Sequence, residues 1–501
     1  MYLGVLASIL TISLLQSQNI NEVLRYSTSQ LNGSARYVAL GGAFGALGGD
    51  LSAISSNPAG TTVFVFNEGS VTGGTQSYVN DAAFFNTNSS ENKSTFNVSQ
   101  LGFSMLFQNP SASKWDKLAF GFNSQLVNNF NKQVYFEGLN PTNGLKSYFL
   151  EQAAGISYNT FNFDRNVSDE YARLASVGYA EQQTYLALKS FLMGYDGDTN
   201  EYFIPEPENA GIQQTHLLYT SGGQRLYTLN FAGRYSKKLS IGINLNLYTI
   251  DYTEGKETFD YYVDQSNSLI KEMLFIQDLR TFGTGASFQV GALYQATKSL
   301  RLGLSYTTPT FYELEDEYEQ RLLVDSQNDL NGEVFREDIN PNVITVNGPY
   351  NIKTPSQTQA SAALVIGNKG FLSADYGVKN YSGAKVSDRF GYNFNGINMQ
   401  IENELDSASY LRVGGETRIA DFSLRAGYWT EQSPYRNQNQ MEDFSGYSIG
   451  AGIRFKASSL DVALSKSDQN YAEQMYSLGL TDSALINQQS EQIIVTYSFR
   501  F

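Results

Sequence analysis

No cysteine occurs in the 501-residue chain, which excludes disulfides, thiol catalysis and Cys-based zinc sites together. Histidine is nearly as scarce: His216, expected in a loop, is the single one. One imidazole cannot supply a His-Glu-x-x-His site, bis-His haem ligation or a triad with a choice of bases, so no catalytic residue, metal or cofactor is expected. Basic residues are outnumbered, 34 Lys and Arg against 49 Asp and Glu, for a net charge of −15. A chain without a basic face does not hold nucleic acid. The apolar leader Leu3 to Leu15 spans 13 residues, too few to cross a bilayer as a helix. Followed by Gln16-Ser17-Gln18-Asn19, it suits the core of a signal peptide covering residues 1–17, although no Lys or Arg precedes Arg25.

Aromatic residues, in contrast, are abundant: 34 Tyr and 32 Phe accompany 44 Gly, while mean hydropathy is low at −0.31. A disordered chain would have few aromatics. Apolar residues diluted twofold by polar ones are the mark of a transmembrane barrel. Alternating segments long enough for a tilted membrane strand are expected near 61–79, 94–108, 116–135, 224–236, 239–254, 281–296, 300–313, 351–366, 371–380, 407–419, 422–433, 443–456, 459–467 and 488–501. Between Ile241 and Leu247 every odd position is Ile or Leu, with Gly242, Asn244 and Asn246 between them. In the last segment Ile493, Val495, Tyr497, Phe499 and Phe501 share one face, and Ile494 is the exception on the other. Six short connections alternate with seven long ones, expected near 80–93, 136–223, 255–280, 314–350, 381–406, 434–442 and 468–487. The expectation is an all-β fold: a 14-stranded antiparallel transmembrane β-barrel over residues 61–501 with both termini on one side.

Before the first strand lies Gly33 to Gly60, GSARYVALGGAFGALGGDLSAISSNPAG, in which seven of 28 residues are Gly. Such a stretch makes a poor helix and an irregular strand, so it needs a cavity to sit in. Residues 18–60 are therefore read as a plug in the lower end of the barrel. The pattern Ala39-Leu40-Gly41-Gly42-Ala43-Phe44, then Asp50-Leu51-Ser52-Ala53, then Asn57-Pro58-Ala59-Gly60 resembles the N-terminal hatch of the FadL/TodX outer-membrane transport proteins. That resemblance implies a hatch-gated barrel that passes long-chain fatty acids or aromatic hydrocarbons across the outer membrane of Gram-negative bacteria. Gly41, Gly42, Phe44, Asp50, Asn57, Pro58 and Ala59 are then the hatch or gating residues. It also implies a kinked third strand that opens the wall sideways. Here the candidate is Asn128, Asn129 and Phe130, where clustered Asn disfavours a regular ladder.

Strand parity brings together a further group. Arg234, Arg301, Arg418, Arg425, Arg454 and Arg500 each lie next to a short turn or the C-terminus and are expected to form a collar in the lumen near the periplasmic mouth. Desolvated guanidinium groups need partners, which the plug would supply through its carbonyls, Asp50 and Glu22. A second reading has Arg425 and Arg454 attracting a substrate carboxylate. In the longest loop, Ser168 to Gly194 reads as one helix capped by Ser168. The acidic group Glu315, Asp316, Glu317 and Glu319 is placed in a loop, either as a solvated face or bridged by a divalent cation to lipopolysaccharide. The expected function is passive uptake of a hydrophobic small molecule, by default a long-chain fatty acid, in contact with outer-membrane lipid and lipopolysaccharide. The rival is a non-transporting barrel whose large extracellular loops make it a scaffold or shuttle for partner proteins. A lipid-modifying enzyme would have to work through His216.

Overall fold

The computed structural model describes residues 20–108, 114–205, 211–266, 268–328, 331–388 and 393–501. The expected signal peptide therefore lies outside the described residues. Fourteen antiparallel strands close into one barrel: β1 (Glu68–Phe84), β2 (Thr87–Gln108), β3 (Trp115–Asn129 continued by Lys132–Asn140), β4 (Ile212–Tyr235), β5 (Leu239–Tyr262), β6 (Ile270–Gln295), β7 (Leu300–Thr307 and Phe311–Gln327), β8 (Thr345–Lys353 and Gln357–Ile366), β9 (Gly370–Asn380), β10 (Ser407–Ile419), β11 (Phe422–Glu431), β12 (Phe444–Arg454), β13 (Ser458–Gln474) and β14 (Ser483–Arg500). Closure is made by β1 on β14, in register from Glu68 opposite Arg500 to Ala83 opposite Leu485.

The barrel is inside out relative to a soluble protein. Ile241, Ile243 and Leu247 are about half exposed, whereas Asn244 and Asn246 between them are buried. Water cannot be what those outward side chains face, because a contiguous apolar belt of this extent is stable only against lipid. Inside, the amides satisfy one another and the plug: Asn244 donates to Gln289 Oε1 at 2.7 Å and to Ile54 O at 2.9 Å. Ile494, the exception to alternation, is buried among plug residues Ala35, Val38 and Leu40.

Several strands are far longer than a bilayer needs. A tilted span takes about 9–11 residues, yet β4, β5 and β6 run 24, 24 and 26. Their polar alternation continues past the lipid, so the ladder continues with it. Three expected loops are corrected accordingly. The connection placed at 80–93 is the two-residue turn Phe85-Asn86, both at positive φ. The region 314–350 is largely strand, with Asp316 turned inward, fully buried and accepting from Thr281 Oγ1 at 2.6 Å, while Glu319 stays outside. His216 is likewise a strand residue, fully buried, its Nδ1 2.9 Å from Thr258 Oγ1.

The insertion placed at 136–223 is narrower, because strand continues to Asn140 and resumes at Ile212. Its main helices are α3 (Leu145–Ala153), α4 (Val167–Ala175) and α5 (Tyr179–Lys189). The single helix expected over 168–194 is thus broken before α5, at Gly178, and Asn166 rather than Ser168 is the cap, its side chain accepting from Asp169 N. These helices bury Tyr148, Phe149, Tyr185 and Leu186 against Phe136 and Phe275 of the strands, closing the outer end with a hydrophobic core.

Candidate functional site

The stretch from Ile20 to Val63 occupies the bore. Its lower part is built from α2, a single short turn over Ala35–Ala39, and two 3-10 turns at Ser52–Ser55 and Pro58–Val63. Ser34 caps α2 by accepting from Tyr37 N and donates to Asp50 at 2.8 Å. Asp50 in turn accepts from Ser52 N at 2.9 Å. Asn57 does three things: its Oδ1 caps the last turn at Ala59 N (3.1 Å), and its Nδ2 donates to Gly45 O (2.8 Å) and to Ala292 O on the wall (3.0 Å). Pro58 follows at the first turn position, where its missing N–H is no loss. Gly41 and Gly42 sit at φ 61° and 75°, a conformation that favours glycine. Phe44 is fully buried, 5.4 Å from the Tyr37 ring and under the Arg36 guanidinium. These residues form one core with Trp429, Phe371, Ala463 and Ile494 of the wall.

The wall is shaped to the plug by glycine. A Cβ at Gly242 would lie 2.5 Å from Pro58 O and 2.6 Å from Ala59 N, one at Gly291 would meet the Pro58 ring, and one at Gly427 would meet the Gly41 backbone. Plug and barrel therefore touch backbone to backbone, at the motif residues.

The six arginines separate. Arg425, buried, donates to Glu416 (2.7 Å) and Asp461 (2.6 Å), and Arg418 also donates to Glu416 (2.6 Å). Arg36 of the plug reaches the same carboxylate at 3.2 Å, so Glu416 ties plug to wall. Arg301 donates directly to the plug carbonyl of Leu47 at 3.0 Å. Arg234 pairs with Asp116 at the mouth, and Arg500 lies 3.9 Å from Glu68 and over the Phe66 ring. Arg454 is exposed at the end of β12 and is not part of this group. Arg425 is saturated by two carboxylates, so it offers no open charge to a substrate. Of the plug acids expected to partner the collar, Asp50 is bound within the plug and Glu22 sits higher, beside Val23 and Leu24.

The N-terminal segment also climbs beyond the lower end. Helix α1 (Ile20–Ser27) buries Val23, Leu24 and Tyr26 against Phe130, Tyr252, Tyr312 and Tyr350 in the middle of the bore. Arg25 pairs with Glu254 at 3.3 Å and lies 3.9 Å over the Tyr252 ring, and Lys256 joins the same carboxylate at 3.1 Å. Tyr435, from an outer loop, donates to Asn21 Oδ1 at 2.9 Å. Apolar Ile20, Val23 and Leu24 at helical spacing are a local signal for α1, but nothing in the chain's pattern says where the helix goes.

The third strand breaks where the asparagines cluster. Its ladder stops at Asn129 and resumes at Lys132, and pairing with β4 slips between Leu126 and Asn128. The ladder between β2 and β3 runs only from Gln108 opposite Lys117 to Gln100 opposite Gln125. Above that point the two strands are joined by side chains: Asn129 Nδ2 to Thr95 Oγ1 at 3.1 Å, and Ser89 Oγ to Tyr135 O at 2.8 Å. The break is also tied to the N-terminal segment, since Asn128 Nδ2 donates to Thr28 O at 2.9 Å and Gln30 N donates to Asn128 Oδ1 at 3.1 Å. Phe130 points into the core around α1. One wall opening and the plug thus share a hydrogen-bond network.

A model described as "Outer membrane protein transport protein (OMPP1/FadL/TodX)" matches residues 224–492, more than half of the chain. No curated protein sequence matches it. Among solved structures, the fold is similar to that of a Pseudomonas aeruginosa FadL homologue, with a TM-score of 0.55 and 11% identity, covering 95% of this chain and 100% of that one. It is also similar to the P. putida toluene transporter TodX, with a TM-score of 0.50 and 13% identity, covering 94% and 99%. At such identities these structures bear on the fold alone, and they agree with the closed barrel. The chain belongs to the OMPP1/FadL/TodX family of outer-membrane transport proteins.

Proposed function

We propose that this chain takes long-chain fatty acids from the outer face and releases them sideways through the wall between β2 and β3, with the N-terminal segment as the gate. The observation that carries this reading is the unladdered stretch above Gln100 and Gln125, hydrogen-bonded to residues 28–30 of that segment. A wall held by side chains opens at lower cost than one held by a continuous ladder, because few bonds are broken and water or ligand polar groups can replace them. An apolar solute gains by leaving into lipid, past the exposed Phe96 and Val98 of β2. The plug, Gly41 to Ala59, then keeps the lower end shut throughout, with Glu416 and Arg301 as its anchors.

The test uses the absence of cysteine. Thr95→Cys with Asn129→Cys places a thiol pair across the gap. Oxidation should stop uptake of labelled oleate, and reduction should restore it. Unchanged uptake with the pair fully crosslinked would exclude the sideways route.

A second reading, a scaffold or shuttle for partner proteins, is favoured by the filling of the bore: α1, Arg25, Glu254 and Lys256 occupy its middle. A strain lacking the gene, tested for growth on oleate and on aromatic hydrocarbons, separates these readings. Loss on one carbon source names the substrate class. Loss on neither, with partner proteins missing from the outer membrane, supports the scaffold.

A further inference from the structure

The gap between β2 and β3 is stitched on both faces, and the outer stitch is a cation. Arg225 of β4 shares the outward face with Phe231, which is 54% exposed to the lipid side. Its guanidinium lies across β3: Nη2 donates to Val98 O of β2 at 2.8 Å and Nη1 to Ser124 Oγ at 3.3 Å. Val98 belongs to the stretch of β2 for which no ladder to β3 runs. Arg225 therefore supplies from outside the donor that a continuous strand would have supplied. On the inner face Asn129 makes the matching bond to Thr95. The surroundings of the strap are apolar, with Phe96 71% and Val98 49% exposed on the same outer face.

A guanidinium bound to a neutral carbonyl is held by an ordinary hydrogen bond, whereas a carboxylate offers a charge-assisted, two-pronged one. A ligand bearing a carboxylate head and an apolar tail would take Arg225 from Val98 O and lay its tail along Phe96 and Val98. A neutral solute of the same shape has nothing to exchange for the strap. We propose that Arg225 is the selectivity residue of the sideways exit: it closes the gap on Val98 and releases it to anionic amphiphiles in preference to neutral ones. This rests on the sideways route proposed above.

The experiment compares initial uptake of oleate and methyl oleate, which share a tail and differ in charge, by cells holding equal amounts of heat-modifiable, folded barrel. Arg225→Met should lower the oleate to methyl oleate ratio by about 10-fold, the size of one charge-assisted hydrogen bond. Arg225→Lys keeps the cation but not the fork, so methyl oleate should enter faster with oleate near the parent rate; this variant carries the test if Arg225→Met fails to assemble. An unchanged ratio in the folded Arg225→Met protein, or parental rates for both the ester and the acid in Arg225→Lys, overturns the proposal. The Thr95→Cys and Asn129→Cys crosslink separates the two levels. If it blocks both probes while Arg225→Met leaves the ratio unchanged, the strap is wrong and the sideways route stands. If it blocks neither, the route is wrong and the strap falls with it.

Discussion

Replacing Gly242 by Ala adds one methyl group at the contact between barrel and plug. The backbone of Gly242 is not in the left-handed region, so the residue itself tolerates Ala, and the effect is confined to what the new Cβ meets. It would meet Pro58 C at 2.4 Å, Pro58 O at 2.5 Å and Ala59 N at 2.6 Å, where ordinary contact begins at 3.4 Å, so the plug must move by about 1 Å. None of these atoms belongs to a flexible side chain. The shift would stretch the bonds from Asn230 Nδ2 to Pro58 O (3.0 Å) and from Asn57 Nδ2 to Ala292 O (3.0 Å). Overpacking of this kind costs roughly 1–3 kcal/mol, which raises the population of the unseated plug by about 5- to 150-fold. Ser56→Cys, buried in the plug, would be the sole thiol in the chain. Its labelling by a bilayer-impermeant maleimide follows that population if opening is fast relative to labelling. Gly197→Ala, whose Cβ meets nothing within 4 Å, is the control and should label at the parent rate. A folded Gly242→Ala barrel that also labels at the parent rate would refute the claim that backbone contact seats the plug.

Glu416→Gln leaves Arg36, Arg418 and Arg425 around a neutral amide; removing one partner of a buried ionic group costs roughly 3–5 kcal/mol, to be read as a lower temperature for the gel-mobility shift of the folded barrel. Asn57→Ala removes the cap of residues 58–63 and two further hydrogen bonds, so Ser56→Cys should label faster by at least about 5-fold, from the 1 kcal/mol of a typical cap alone. In the helical insertion between β3 and β4 the hydrogen bond from Arg173 holds the Glu170 carboxyl below the usual glutamate range. A depressed folded value means this contribution is present above the ordinary glutamate pKa and lost as pH falls through the folded one. Proteolysis between α3 and α4 should therefore accelerate on acidification, and Glu170→Gln should remove that dependence.

The identification of the barrel needed little beyond period-two alternation. Ile241 to Leu247 and Ile493 to Phe501 state which face is which, because in lipid every strand must show an apolar side outward. Where alternation stops being apolar, the sequence signal for a membrane strand stops too. Residues 80–84, 87–93, 255–262, 270–280 and 314–327 fall in stretches expected as loops for that reason, yet they continue the ladder, since backbone pairing is indifferent to whether the outer side chain is Leu or Glu. The plug was legible through Gly41, Gly42, Asn57 and Pro58, whose local geometry is dictated by φ preference and side-chain capping.

Parity placed five of the six arginines and failed for Arg454, which is exposed at the end of β12, and it said nothing of which carboxylate each would meet. Glu416 faces Arg425 across one hairpin, 9 residues away, but Asp461 is 36 residues from Arg425 and Arg36 is 380 from Glu416, and only the plug seated in the folded barrel brings all four together.

The chain's alternation, glycine content and short turns determined a closed barrel with a stopper, because those features act locally and repeat. Tertiary structure decided what fills the bore, which carboxylate each arginine meets, and where the wall lacks a ladder. Many of these contacts join residues far apart in the chain, Arg36 and Glu416 being 380 apart and Thr28 and Asn128 100, and their energy depends on exclusion of water, which no short stretch of sequence sets.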